Sequence, residues 1–130
     1  MKAKYLIALQ IVLLMAAAGA GYVLKGDLVG GPRMAHRLFG MSAAVVCIVT
    51  AAKLLSQKGR PSNVRTLALA AAAFSLLAGL AGKMVKSASN YSLVFNTMRG
   101  SATLALLASI GLLVALNNAP AKSKKPKSKK

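Results

Sequence analysis

Four apolar runs fill most of this chain: Tyr5–Leu24, Met34–Leu55, Val64–Val85 and Thr97–Leu116. Each is close to the ~20 residues that a helix needs to cross the hydrocarbon of a bilayer. Leu and Ala dominate them, the two-residue alternation of barrel strands is missing, and Gly, Pro, Asn and Ser punctuate their edges. In lipid every backbone N–H and C=O must be satisfied internally, so such runs are read as helices. Once the four are assigned, 130 residues leave nothing for a soluble domain. The connections "KGDLVGGPR" (25–33), "SQKGRPSN" (56–63) and "KSASNYSLVFN" (86–96) are short, which makes consecutive helices antiparallel neighbours. Pro32 and Pro61 fall just ahead of spans, where a missing N–H breaks no helical bond. The expected fold is all-α, an integral membrane four-helix up-down bundle over residues 1–118, followed by a tail, 119–130.

Charge supports the same class. The chain carries 18 Lys and Arg against one acid, Asp27, and its mean hydropathy is +0.59; soluble domains mix both signs at about a quarter of positions. Cations near span ends set orientation. Lys2, Lys4, Lys53, Lys58, Arg60, Arg65 and six tail lysines place twelve on one side, against six on the other: Lys25, Arg33, Arg37, Lys83, Lys86 and Arg99. Both termini are therefore expected on the cytoplasmic side of a plasma (inner) membrane. Lys2 and Lys4 before an apolar stretch ending in "AAAGAG" have the look of a secretory signal. The run is long for one and its removal would leave three spans, so it reads as a retained anchor. The tail "AKSKKPKSKK" is Lys-rich and broken by Pro120 and Pro126, a composition expected to be disordered. Its expected partner is the anionic headgroups of the lipid bilayer, at about 1 kcal/mol per lysine near the surface. No aromatic interleaves the lysines to stack bases, so no nucleic-acid partner is expected.

Several chemistries lack their residues. A proton-coupled exporter needs a carboxylate inside the membrane, and Asp27 lies in a connection. Nucleophilic catalysis needs an oriented base beside a nucleophile; the one base is His36, whose nearest acid in sequence is Asp27. A zinc-type enzyme needs three protein ligands or more. The chain is therefore read as a non-enzyme. Cys47 is single and mid-span, so it forms no internal disulfide and is expected to pack as a small apolar residue.

His36 opens the second span, and the residues sharing its helical face are Gly40, Ala43 and Cys47. Met98 stands at the mouth of the fourth, above Ala102, Ala105 and Ser109. Each of these potential ligands is followed by Arg, as His36-Arg37 and Met98-Arg99, over a stripe of small residues. "AAGAG" (17–21) closes the first span and "LAGLAG" (77–82) the third, so the chain reads as two related helical hairpins. The outer ends of the even spans are then expected to be adjacent, with His36 facing Met98. Small-residue stripes let membrane helices approach closely. They would equally clear a flat ring between helices, with imidazole and thioether as axial ligands of a haem and Arg33, Arg37 and Arg99 pairing with its propionates.

At these residues the chain resembles a known family. "HRLFGMSAAVV" is similar to the second-span "HR" segment of the haem A synthase family, and "LQIVLL…AGAG" and "LLAGLAGKMV" resemble the odd spans of that fold. The family consists of two fused four-helix halves, each able to hold haem between histidines at the outer ends of its second and fourth spans. This chain resembles one half. Met98 or Arg99 stands where the family has its second histidine, Arg33 stands where the synthase has its catalytic Glu, and the loop cysteines are missing. The resemblance implies a degenerate relative: a small accessory or structural membrane protein without catalysis, whose small-residue faces dock a second copy or a larger membrane complex. Its alternative is a b-type haem protein, in electron transfer, haem sensing or oxidase assembly, with His36 as axial ligand and Met98 as the second metal-ligating candidate.

Overall fold

The computed structural model describes residues 2–23, 31–85, 87 and 89–119. They form four helices, α1 (Ala3–Val23), α2 (Gly31–Ser56), α3 (Ser62–Met84) and α4 (Tyr91–Asn118), with no strand among the described residues. All four are long and apolar enough to cross a membrane. Asp27, Lys25, Lys86 and the tail from Pro120 onward lie outside the described residues.

The helix ends differ from expectation where capping chemistry intervenes. α4 starts at Tyr91, six residues ahead of the apolar run, because Asn90 caps it: its side chain accepts a hydrogen bond from the Leu93 amide at 3.1 Å. Such a cap satisfies one of the amides that a helix start leaves without an intrahelical acceptor. α2 likewise takes in Gly31, Pro32 and Arg33, with proline in the first turn, where it is tolerated. Pro61 is the N-cap of α3, in an extended conformation (φ −54°, ψ 146°). The turn between α2 and α3 passes through Gly59 at φ 82°, a left-handed conformation that a side chain would oppose.

The helices form an up-down ring. α1 packs most closely on α2 and α3 on α4, giving two hairpins joined by the α2–α3 and α1–α4 seams. α2 and α4 stand at opposite corners without a close backbone approach among the described residues, as do α1 and α3. This corrects the expectation of adjacent even spans. Short connections put consecutive helices at neighbouring corners, so helices two apart in sequence fall on the diagonal.

Ile7, Leu54, Val64 and Leu112 are fully buried in the centre, together with Ala43, Cys47 and Ala105. The outward faces carry exposed Val12, Met15, Met41, Val45, Leu80 and Leu107. So broad an apolar surface is unusual on a soluble monomer and natural where lipid is the solvent.

Candidate functional site

The sequence-predicted site residues all lie toward the end of the bundle away from the chain termini, here called the distal end. His36 is half-buried in the second turn of α2 and meets the last turns of α1. Its Nδ1 lies 2.7 Å from the Ala17 carbonyl oxygen. A carbonyl only accepts, so Nδ1 carries the proton and donates, which leaves Nε2 as the nitrogen with a lone pair in the neutral ring. The ring fits because position 21 is glycine. A Cβ on Gly21 would stand 2.9 Å from Nδ1 and 3.0 Å from Cε1, closer than such atoms pack.

Met98 repeats the arrangement in the second hairpin. A Cβ on Gly82 would stand 3.3 Å from its Sδ. The glycine near the end of each odd helix thus receives the candidate ligand near the start of the next helix. The correspondence continues inward at a spacing of 62 residues (36 to 98, 43 to 105, 47 to 109). Ala43, Ala105, Cys47 and Ser109 are all buried. Gly40, between His36 and Ala43, is only half-buried, and a Cβ there would meet no heavy atom within 4 Å. The small-residue stripes therefore close the bundle at mid-height and open toward the distal end.

The three arginines divide in behaviour. Arg33 is half-buried and Arg37 exposed, one turn apart on α2. Arg99, across the diagonal on α4, lies over the Phe95 ring with its guanidinium carbon 5.7 Å from the centroid. Phe95 in turn stacks on Tyr91 at 5.6 Å and 12°. This cation–π ladder runs along one face of α4 toward its start and gives Arg99 an apolar seat worth about 0.5–1 kcal/mol.

A polar layer across mid-bundle was missed by sequence reasoning. Gln10 Nε2 donates to Ser109 Oγ at 2.7 Å, and Ser109 Oγ donates to the Ala105 carbonyl at 2.8 Å, tying α1 to α4. Ser75 Oγ donates to Cys47 Sγ at 3.3 Å, tying α3 to α2. Both seams therefore end on repeat-related residues, Ser109 and Cys47. Gln10 is fully buried and its Oε1 has no hydrogen-bond partner among the described residues. The available signal was its polarity: Gln10 is the one amide side chain within the first apolar run.

No group of three His, Cys, Asp or Glu gathers among the described residues. Comparison with protein-family models, with curated proteins and with solved structures finds no match for this chain.

Proposed function

We propose that this chain is a small accessory or structural protein of the membrane, its bundle serving as a docking scaffold. The observation that carries the reading is the seating of His36 and Met98. Each is fitted onto a glycine of its own hairpin, where it fastens an even helix to the odd helix before it. Side chains used this way account for the arrangement with no cofactor and no catalytic step. On this reading the chain termini and the α2–α3 turn face the cytoplasm, and the twelve-to-six division of cations supports that orientation. In a Cys47→Ser background, a membrane-impermeant maleimide applied to intact cells should label Ser89→Cys and spare Lys58→Cys. The opposite pattern would invert the topology.

One observation favours a second reading, haem b binding. A ligating histidine commonly donates its other ring N–H to a backbone carbonyl, which fixes the ring and raises its basicity. The His36 bond to Ala17 does this and points to Nε2 as the ligand atom. A side chain at Gly40, one turn away, would meet no heavy atom within 4 Å. His36 would hold the iron, Met98 is the one thioether at the corresponding place in the second hairpin, and Arg33, Arg37 and Arg99 would neutralise propionates. Bound haem would supply one-electron redox chemistry; the chain's own part would be to orient the imidazole and balance charge.

Absorption spectra of the purified full chain, after reconstitution with excess haem and with and without dithionite, separate the two readings. The accessory reading expects no Soret band. A band abolished by His36→Ala would overturn it in favour of haem, and a further shift in Met98→Ala would name the second ligand.

A further inference from the structure

The start of α4 carries a feature that α2 lacks. Tyr91 stacks on Phe95, and the Arg99 guanidinium lies over the Phe95 ring, so three side chains at four-residue spacing form one ladder. At the places in α2 that correspond to Phe95 and Arg99 by the 62-residue spacing stand Arg33 and Arg37, with no aromatic between them and the helix start. We propose that the ladder is a lipid-interface anchor: it binds the headgroup layer of the distal leaflet and sets the depth of the bundle, with the level of Arg99 as the edge of the hydrocarbon.

The cations give that level. Gly82 faces the Met98 sulfur, so the residues that follow, Lys83 and Arg99, stand at one height on α3 and α4, and both are exposed. Arg37, also exposed, follows His36 on its seat at Gly21 and takes the repeat-related place on α2. A charge inside hydrocarbon is costly and is relieved by side chains that reach outward. Burying an ion pair is costly too, so the level holds whatever each cation is paired with. Below it the helices carry no charge: none lies between Lys83 and Arg65 on α3, or between Arg99 and the end of α4. Arg65 and Lys83 are 18 residues apart, about 27 Å along a helix. That is close to the ~30 Å of a hydrocarbon core, and outward-reaching side chains cover the remainder.

Helix length places the ladder outside that core. α4 has 28 residues, about 42 Å, of which Tyr91 to Met98 contribute about 12 Å beyond the level of Arg99. This stretch holds the exposed Tyr91 and the half-buried Phe95. Aromatic rings collect at headgroup depth, where an apolar face and a polar edge are both satisfied. Arg99 reaches one turn toward the helix start to sit over Phe95, which lifts its charge away from the hydrocarbon. The same depth puts His36 and Met98, one residue before Arg37 and Arg99, at the edge of the core.

The inference rests on insertion of the bundle in a bilayer, as the accessory reading does, and is indifferent to haem. The chain has no tryptophan, so Phe95→Trp and Leu107→Trp each give a single reporter, the second at an exposed position two turns below Arg99. Each full chain is reconstituted in phosphatidylcholine vesicles that carry a nitroxide either on the headgroup or midway along the acyl chain, and fluorescence quenching reads the depth. The Phe95→Trp reporter should be quenched more by the headgroup nitroxide and the Leu107→Trp reporter more by the acyl-chain nitroxide. In the Phe95→Trp chain, Arg99→Leu should lower the headgroup-to-acyl quenching ratio roughly twofold, because the charge that resists hydrocarbon is gone, while Arg99→Lys should keep it. Circular dichroism checks the helices of each variant. If Arg99→Leu loses helix, Tyr91→Ala is read in its place, with a smaller fall expected. Stronger acyl-chain quenching of the Phe95→Trp reporter, or a ratio that ignores both Arg99→Leu and Tyr91→Ala, overturns the anchor. Quenching of that reporter by neither nitroxide, with the Leu107→Trp reporter still quenched, places the ladder against a second copy and overturns it as well. Absence of quenching at both reporters overturns insertion itself, on which the anchor rests.

Discussion

The two hairpins share a backbone plan and differ in how they are fastened. In α1–α2 the fastening is a rigid ring, held by a directional hydrogen bond to the Ala17 carbonyl and with no room to spare against Gly21. In α3–α4 it is a flexible thioether resting against Gly82 with a few tenths of an ångström more clearance. The same repeat position is thus filled once by a group that specifies geometry and once by a group that adapts to it. The first hairpin should tolerate little change at its distal end and the second should tolerate much. Toward mid-height the difference disappears, because Ala43 and Ala105 are equally and completely buried.

That symmetry predicts the largest effect. Ala43→Leu and Ala105→Leu each force a larger side chain into a closed interface, and overpacking of this kind costs about 1–3 kcal/mol. The two should destabilise the bundle by similar amounts in mixed-micelle unfolding. A large effect at one and none at the other would show that the hairpins are not equivalent at this level. Gly40→Ala serves as the reference. A methyl group there meets nothing, so it should be neutral or stabilising by up to about 1 kcal/mol through helix propensity.

The next effect separates the hairpins. Gly21→Ala places a methyl group against the imidazole and must break or bend the bond to Ala17. It should cost about 1–2 kcal/mol net, after the helix propensity that alanine gains. Gly82→Ala meets only the Met98 sulfur, which can swing aside on its flexible stem, so propensity should prevail and leave stability unchanged or raised by up to about 1 kcal/mol. Thermal unfolding of the two variants in one detergent is the measurement. Equal losses would mean that the thioether is held as tightly as the ring, and the contrast between the fastenings would fail.

Much of this was legible in the residues. Hydropathy runs give four helices, and short connections give antiparallel neighbours, because both depend only on sequence distance. "AAGAG" and "LAGLAG" announced the hairpin repeat, with Gly21 and Gly82 as the positions that later mattered. The start of α4 was not legible, since Asn90 reads equally as a loop residue until its side chain is seen to cap. Nor is the diagonal placement of α2 and α4, because helix starts at the same depth need not be neighbours. The resemblance to the haem A synthase family rests on short segments, and His36 stands out without it, as the one histidine of the chain.

The smallest expected effect lies at the seams between the hairpins and probes what fills the middle of the bundle. Gln10 and Ser75 each donate across a seam to one of the repeat-related residues Ser109 and Cys47. Gln10 does so at a cost, because its buried Oε1 lacks a partner among the described residues. Replacement by Met keeps the length of the side chain, forfeits one interhelical hydrogen bond of about 0.6 kcal/mol, and removes an unsatisfied oxygen whose burial costs about 1–3 kcal/mol. Ser109 is not orphaned, since it still donates to the Ala105 carbonyl. The sum favours Gln10→Met as neutral or slightly stabilising in mixed-micelle unfolding, by about 1 kcal/mol or less. A loss above about 2 kcal/mol would instead mean that Oε1 is satisfied, as by an ordered water held within the polar layer. The α1–α4 seam would then be a hydrated joint, unlike the thiol-ended α2–α3 seam, and the two hairpins would differ at mid-height as well as at the distal end.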